Sequence, residues 1–223
     1  MQWNLPNTLT ILRLLAAPAL VVVYEVFAHP YSDWLALVLF MTAALTDYFD
    51  GLLARRWKQV SAFGRMLDPI ADKAMTVLAL VMLSLQLGSQ TLYVLPALAI
   101  IFREIFISGL REFLGSKSAG LPVTQLAKWK TAVQMIAVAT LFGHLLFEHY
   151  FVVQTYAMER GTVAAILDGS QPDLYDIVWK YHGYVWSYYA GIGLIWLAAL
   201  LTVVTGIDYF RKALPYLADE EKQ

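Results

Sequence analysis

Cysteine is absent from the 223 residues. That excludes a disulfide framework, a thiolate metal site and a cysteine nucleophile, and it leaves the compartment open. Charge is scarce too. Asp, Glu, Lys and Arg make up 15% of the chain, where a soluble domain carries about 25%. The net charge of −1 argues against an extended nucleic-acid surface, which would need a basic excess. Apolar residues are abundant: 59% of the chain is hydrophobic and the mean hydropathy is +0.57. A chain of this kind has lipid as its solvent.

A membrane-spanning helix needs about 20 mostly apolar residues. Six segments qualify, roughly 8–28, 33–55, 71–89, 91–114, 127–148 and 184–208. The expected fold is therefore an all-α integral membrane protein, a six-transmembrane-helix bundle in which residues 1–223 form one membrane domain. The first apolar run begins at Leu14, after a polar start without a basic cluster or a small-residue cleavage site. It reads as a retained span, not a cleaved signal. Loop charge sets orientation. With the N-terminus inside, the inner segments hold Arg55, Arg56, Lys58, Arg65, Lys117, Lys128, Lys130, Arg211, Lys212 and Lys222, and the outer ones only Arg160 and Lys180. Ten against two predicts that both termini are cytoplasmic. Residues 149–183 then form an external loop insertion between helices five and six, with a short amphipathic helix around Thr155–Leu167.

Several spans are apolar for most of their length and acquire charge at one end. Asp47 and Asp50 stand three residues apart, Asp68 and Asp72 four apart, and each spacing puts its pair on one helix face. The first pair ends one span and the second opens the next, with Asp68-Pro69 reading as an N-cap followed by an N1 proline. Two antiparallel helices thus bring four carboxylates to one cytoplasmic edge. Each ionised group within the bilayer costs at least a few kcal/mol, so the cluster needs compensation. Hard oxygen ligands suit Mg²⁺, Mn²⁺ or Ca²⁺, and two divalent ions would balance four aspartates. Two-metal sites stabilise attacking and leaving oxygens in displacements at phosphorus, which points to phosphoryl-type transfer. A transporter would place its carboxylates near the midplane, and these crowd one edge.

Residues 47–72 read Asp47-x2-Asp50-Gly51-x2-Ala54-Arg55-x8-Gly64-x3-Asp68-x3-Asp72. This resembles, at every defined position, the signature of the CDP-alcohol phosphatidyltransferase family. Three flanking stretches look like its bacterial phosphatidylglycerolphosphate synthase branch. They are Asn4 to Arg13, Arg103 to Glu112, and Lys128-Trp129-Lys130-Thr131. The resemblance implies that Asp47, Asp50 and Asp68 hold two Mg²⁺ or Mn²⁺ ions with Asp72 contributing. It implies that Asp72 is the general base, and that Gly51, Ala54, Arg55 and Gly64 bind the CDP moiety. It further implies a homodimer in the bacterial inner membrane, with the active site facing the cytoplasm and CDP-diacylglycerol and glycerol 3-phosphate as substrates.

The residues speak to acceptor and mechanism as well. Arg103, Glu104, Ser108 and Arg111 fall on one broad face near the inner end of the fourth helix, and Lys128 and Lys130 enter at the same level. Arg suits bidentate phosphate recognition and Lys adds point charge. Arg103, Arg111, Lys128 and Lys130 are accordingly the candidates for the acceptor phosphate, and glycerol 3-phosphate fits them better than serine or inositol. Snorkelling with Arg–Glu pairing remains a structural reading of the stripe, and ordinary flanking charge one of the two lysines. Inositol phosphate, serine or phosphatidylglycerol as acceptor would keep the same chemistry. His29, His144, His149 and His182 all map to the outer side, which disfavours transfer through a phosphohistidine. The Trp and Tyr residues from Trp179 to Tyr189 read as an outer aromatic belt.

Overall fold

Apolar runs interrupted by short polar turns give helices and nothing else among the described residues. A computed structural model describes residues 5–57, 61–115 and 125–218; the side chains of Pro6, residues 47–57, Arg65 and Ala218 lie outside the description. Six long helices and one short one follow in order. They are α1 (Leu5–Val26), α2 (Tyr31–Trp57), α3 (Ala62–Gln86), α4 (Thr91–Leu114), α5 (Gln125–Thr155), α6 (Arg160–Leu167) and α7 (Ile177–Ala218).

The bundle has two halves. In one, α1 packs on both α2 and α3; in the other, α7 packs on α5 and α4. The seam between them is filled by Phe40 against Phe142, ring centroids 5.9 Å apart, and by Tyr93, whose hydroxyl donates to the Leu80 carbonyl at 2.9 Å. Small residues let α5 and α7 approach, as is common between helices in lipid. A Cβ at Gly183 would fall 2.3 Å from the Phe147 ring, and one at Gly191 would fall 2.5 Å from the Leu141 side chain. The outer faces stay apolar, with Leu15, Leu98, Phe102, Ile105 and Leu200 all more than half exposed.

Among the described residues, four helices are long and apolar enough to cross a membrane: Asn7–Val26, Thr91–Leu114, Gln125–Thr155 and Ile177–Leu217. The described apolar part of α2 is shorter, Tyr31–Thr46, and α3 carries Asp68, Asp72 and Lys73 near its start. All six expected spans are helical, but the two that bear the aspartates are the least lipid-like.

Two boundaries differ from expectation for clear reasons. Asp68-Pro69 does not open α3. The helix begins at Ala62, and its N-cap is Ser61, whose hydroxyl accepts the Gly64 amide at 2.9 Å. Pro69 lies inside the helix, and Asp68 is released for another partner. Much of 149–183 is helix rather than loop, since α5 runs on to Thr155 and α7 starts at Ile177. Aromatic pairs hold these extensions together. Phe151 stacks on Tyr184 at 6.0 Å and tilts against Tyr181 at 5.5 Å, and Phe147 meets Trp179 edge-on at 5.9 Å. Only part of the expected belt therefore faces outward, notably Trp179, Trp186 and Tyr189. The short helix expected around Thr155–Leu167 is α6, shifted to Arg160–Leu167.

Candidate active site

Three polar residues spaced three apart on the otherwise apolar α1 reach across to the start of α3. Asn7, Thr10 and Arg13 are 3%, 2% and 2% exposed, so each needs a partner. The Ser61 hydroxyl donates to Asn7 Oδ1 at 2.7 Å. Thr10 Oγ1 donates to Asp68 Oδ1 at 2.6 Å, and Arg13 donates to Asp72 Oδ1 at 2.5 Å. Hydrogen bonds to a charged group contribute about 1.5–3 kcal/mol each, so this ladder both joins α1 to α3 and fixes the two carboxylates. Gly64 completes it. A Cβ there would stand 2.8 Å from Asn7 Oδ1, so among the described neighbours the close approach at Gly64 is made by Asn7.

Asp68 and Asp72 lie one turn apart on α3, and the Asp72 side chain is 44% exposed. Asp47, Asp50, Gly51, Ala54 and Arg55 are on α2, with side chains outside the description. Among the described residues no group of three or more His, Asp or Glu side chains gathers around a metal position. The described half of the expected set nonetheless fits a hard divalent ion: two carboxylates on one face, each oriented by a donor from α1.

Beside them lies a cleft of about 210 Å³ formed mainly by α4, α5 and α7. Arg103, Glu104, Ser108 and Arg111 all line it, as their spacing predicts, together with Lys130. Lys73 and Lys212 line it too. Neither stands out in the sequence as a candidate for the acceptor: Lys212 reads as a flanking charge, and Lys73 adjoins Asp72 in the chain. Lys128 is exposed and is not brought into the cleft. Glu104 binds both Arg103, at 3.0 Å, and Lys130, and Asp208 pairs with Lys212 at 2.6 Å. Arg111 lies over the Tyr209 ring at 5.3 Å. Five cations against two carboxylates leave the described lining with a surplus of three positive charges. Gly206 seats the Arg103 stem, for a Cβ there would be 2.9 Å from Arg103 Cγ.

The four histidines gather at the other end of the bundle. His29 stacks near His149 at 6.3 Å, and His144 shares a cavity with the α3–α4 turn. His182 is in the first turns of α7. None is near Asp68 or Asp72, which lie in the first half of α3.

Known proteins bear on this arrangement. Residues 3–167 match the family model described as CDP-alcohol phosphatidyltransferase. A protein of Cereibacter sphaeroides named CDP-diacylglycerol–glycerol-3-phosphate 3-phosphatidyltransferase is 50% identical over 221 residues, covering 99% of this chain and all of that one. Proteins of the same name from Rickettsia bellii and Escherichia coli K12 are 34% and 33% identical, over 96% and 99% of this chain.

Proposed function

The chain belongs to the CDP-alcohol phosphatidyltransferase family, and on that footing we propose that it transfers the phosphatidyl group of CDP-diacylglycerol to glycerol 3-phosphate. The products are phosphatidylglycerol phosphate and CMP. The observation that carries the acceptor assignment is the cleft beside Asp72, whose surplus of three positive charges suits a dianionic phosphate.

The reaction is a single displacement: the acceptor hydroxyl attacks the lipid-side phosphorus and the bond to CMP breaks. Asp72 takes the hydroxyl proton, held in one orientation by Arg13. Arg103, Arg111 and Lys130 hold the acceptor phosphate, with Lys73 and Lys212 adding charge. Arg55 with Gly51, Ala54 and Gly64 receives the CDP moiety. Asp47, Asp50 and Asp68, with Asp72, would hold two Mg²⁺ or Mn²⁺ ions, which when bound neutralise the carboxylates and stabilise charge on the pyrophosphate. The charge bias of the loops supports six crossings with both termini and the active site on the cytoplasmic side. Relatives from bacteria support the inner membrane, and the family resemblance supports a homodimer.

The test is CMP release from CDP-diacylglycerol by the purified protein with Mg²⁺ or Mn²⁺. Glycerol 3-phosphate, inositol phosphate, serine and phosphatidylglycerol are each offered as acceptor. Release with glycerol 3-phosphate alone is expected, and Asp72→Asn should lose turnover by at least a thousandfold while staying folded. Release with inositol phosphate instead would keep the chemistry and reassign the cleft.

A further inference from the structure

At the end of the bundle away from Asp72 lies a second cavity, of about 520 Å³, where the α3–α4 turn meets α5 and α7. Asp72 and Gln86 are fourteen residues apart on α3, about 21 Å of helix rise. We propose that this cavity is a binding site for a primary ammonium group, such as an ethanolamine-type headgroup.

The argument starts from one imidazole. His144 is 3% exposed, and its Nδ1 is 3.1 Å from the Tyr184 carbonyl oxygen. A carbonyl only accepts, so Nδ1 carries a hydrogen, and when the ring is neutral its Nε2 is an acceptor. Nε2 stands 3.7 Å from Glu148 Oε2, beyond the 2.7–3.2 Å of a direct hydrogen bond. Two acceptors at this separation face a space that one donor with several N–H groups can bridge, and an ammonium has three. The Tyr188 hydroxyl spends its hydrogen on Gln90 Oε1 at 2.5 Å, so its oxygen too is left to accept.

The walls suit a cation as well. Tyr184, Tyr188 and Tyr189 line the cavity with His144 and Glu148, and no Lys or Arg is among the lining residues. The cavity is more than tenfold larger than the roughly 30 Å³ that one water takes up, so a single bridging water leaves most of it unexplained. This is the electrostatic opposite of the cleft at the other end: there cations outnumber carboxylates, and here the lining holds a carboxylate and no Lys or Arg.

Native mass spectrometry of the full-length protein in neutral detergent tests the idea. Dihexanoyl phosphatidylethanolamine is compared with the matching phosphatidylcholine, which lacks N–H donors, and with phosphatidylglycerol. The ethanolamine lipid should bind at least fivefold more tightly than either. Glu148→Gln should weaken it about tenfold and Tyr188→Phe by less, with CMP release from CDP-diacylglycerol within twofold of the unmodified protein. Free ethanolamine is the last arm. Competition by it at millimolar concentration assigns the site to the amine alone, and lipid binding without such competition assigns it to a membrane headgroup; either supports the proposal. Equal binding of the three lipids to the unmodified protein overturns it. So does ethanolamine-lipid binding that Glu148→Gln leaves unchanged in protein that still releases CMP.

Discussion

The polar atoms on α1 are few and each has a task. Thr10 donates its hydroxyl hydrogen to Asp68, so Thr10→Val would keep the volume and remove the donor. Supporting partners of metal-binding carboxylates typically contribute 10–100-fold in metal affinity. The half-saturating Mg²⁺ concentration for CMP release is therefore expected to rise about 10–100-fold, with the KM for glycerol 3-phosphate unchanged. A parallel rise in both would make Thr10 a general packing residue. In the cleft, Arg111→Ala should raise the KM for the acceptor at least tenfold and that for the lipid donor less than twofold. An equal effect on both would remove Arg111 from the acceptor site. The sequence pattern disclosed Arg103, Arg111 and Lys130 because charges near the inner end of an apolar helix stand out. It disclosed neither Lys73, which sits among aspartates, nor the part played by Asn7, Thr10 and Arg13, whose partners lie 54 to 59 residues away. Side-chain periodicity reports which face of a helix is polar; it does not report which helix that face meets.

Helix boundaries show the same division. Apolar length located every long helix, while their ends depended on contacts that length does not encode. Ser61 outcompetes Asp68 as the cap of α3 because its hydroxyl is held between the Gly64 amide and Asn7. At the other end of the bundle, Asp173 accepts from the Ile177 and Val178 amides at 2.8 and 2.9 Å, and so starts α7 well before its apolar run. Those two amides hold the Asp173 carboxyl below its usual range, Val178 contributing most. A group whose folded pKa is depressed stabilises above its unfolded value, about 3.9, and loses that effect as pH falls through the folded value. The first turn of α7 should therefore loosen as pH drops below about 4. Hydrogen exchange across residues 177–180, corrected for intrinsic rates, should show falling protection, and Asp173→Asn should flatten the dependence. Protection that is constant down to pH 2 would contradict this.

For the whole molecule, chemistry is divided between the two halves. The helices α1 and α3 present the oriented carboxylates, α4, α5 and α7 present the cationic cleft, and Lys73 is the one described lining residue from the first half. Orientation in the membrane can be read directly because the chain has no cysteine to remove. Ser170→Cys, in the exposed turn after α6, should react with a membrane-impermeant maleimide on intact cells. Gln223→Cys should react only after permeabilisation. The reverse pattern would invert the proposed topology and put the cleft outside.

The pairing of Arg13 with Asp72 also sets a clock. At about 5–20 residues per second of synthesis, Asp72 follows Arg13 off the ribosome by roughly 3 to 12 seconds. Until then the contact between these two side chains cannot form. The link between α1 and α3 is thus closed only after the whole of α2 has been made, with the arrival of Asp72.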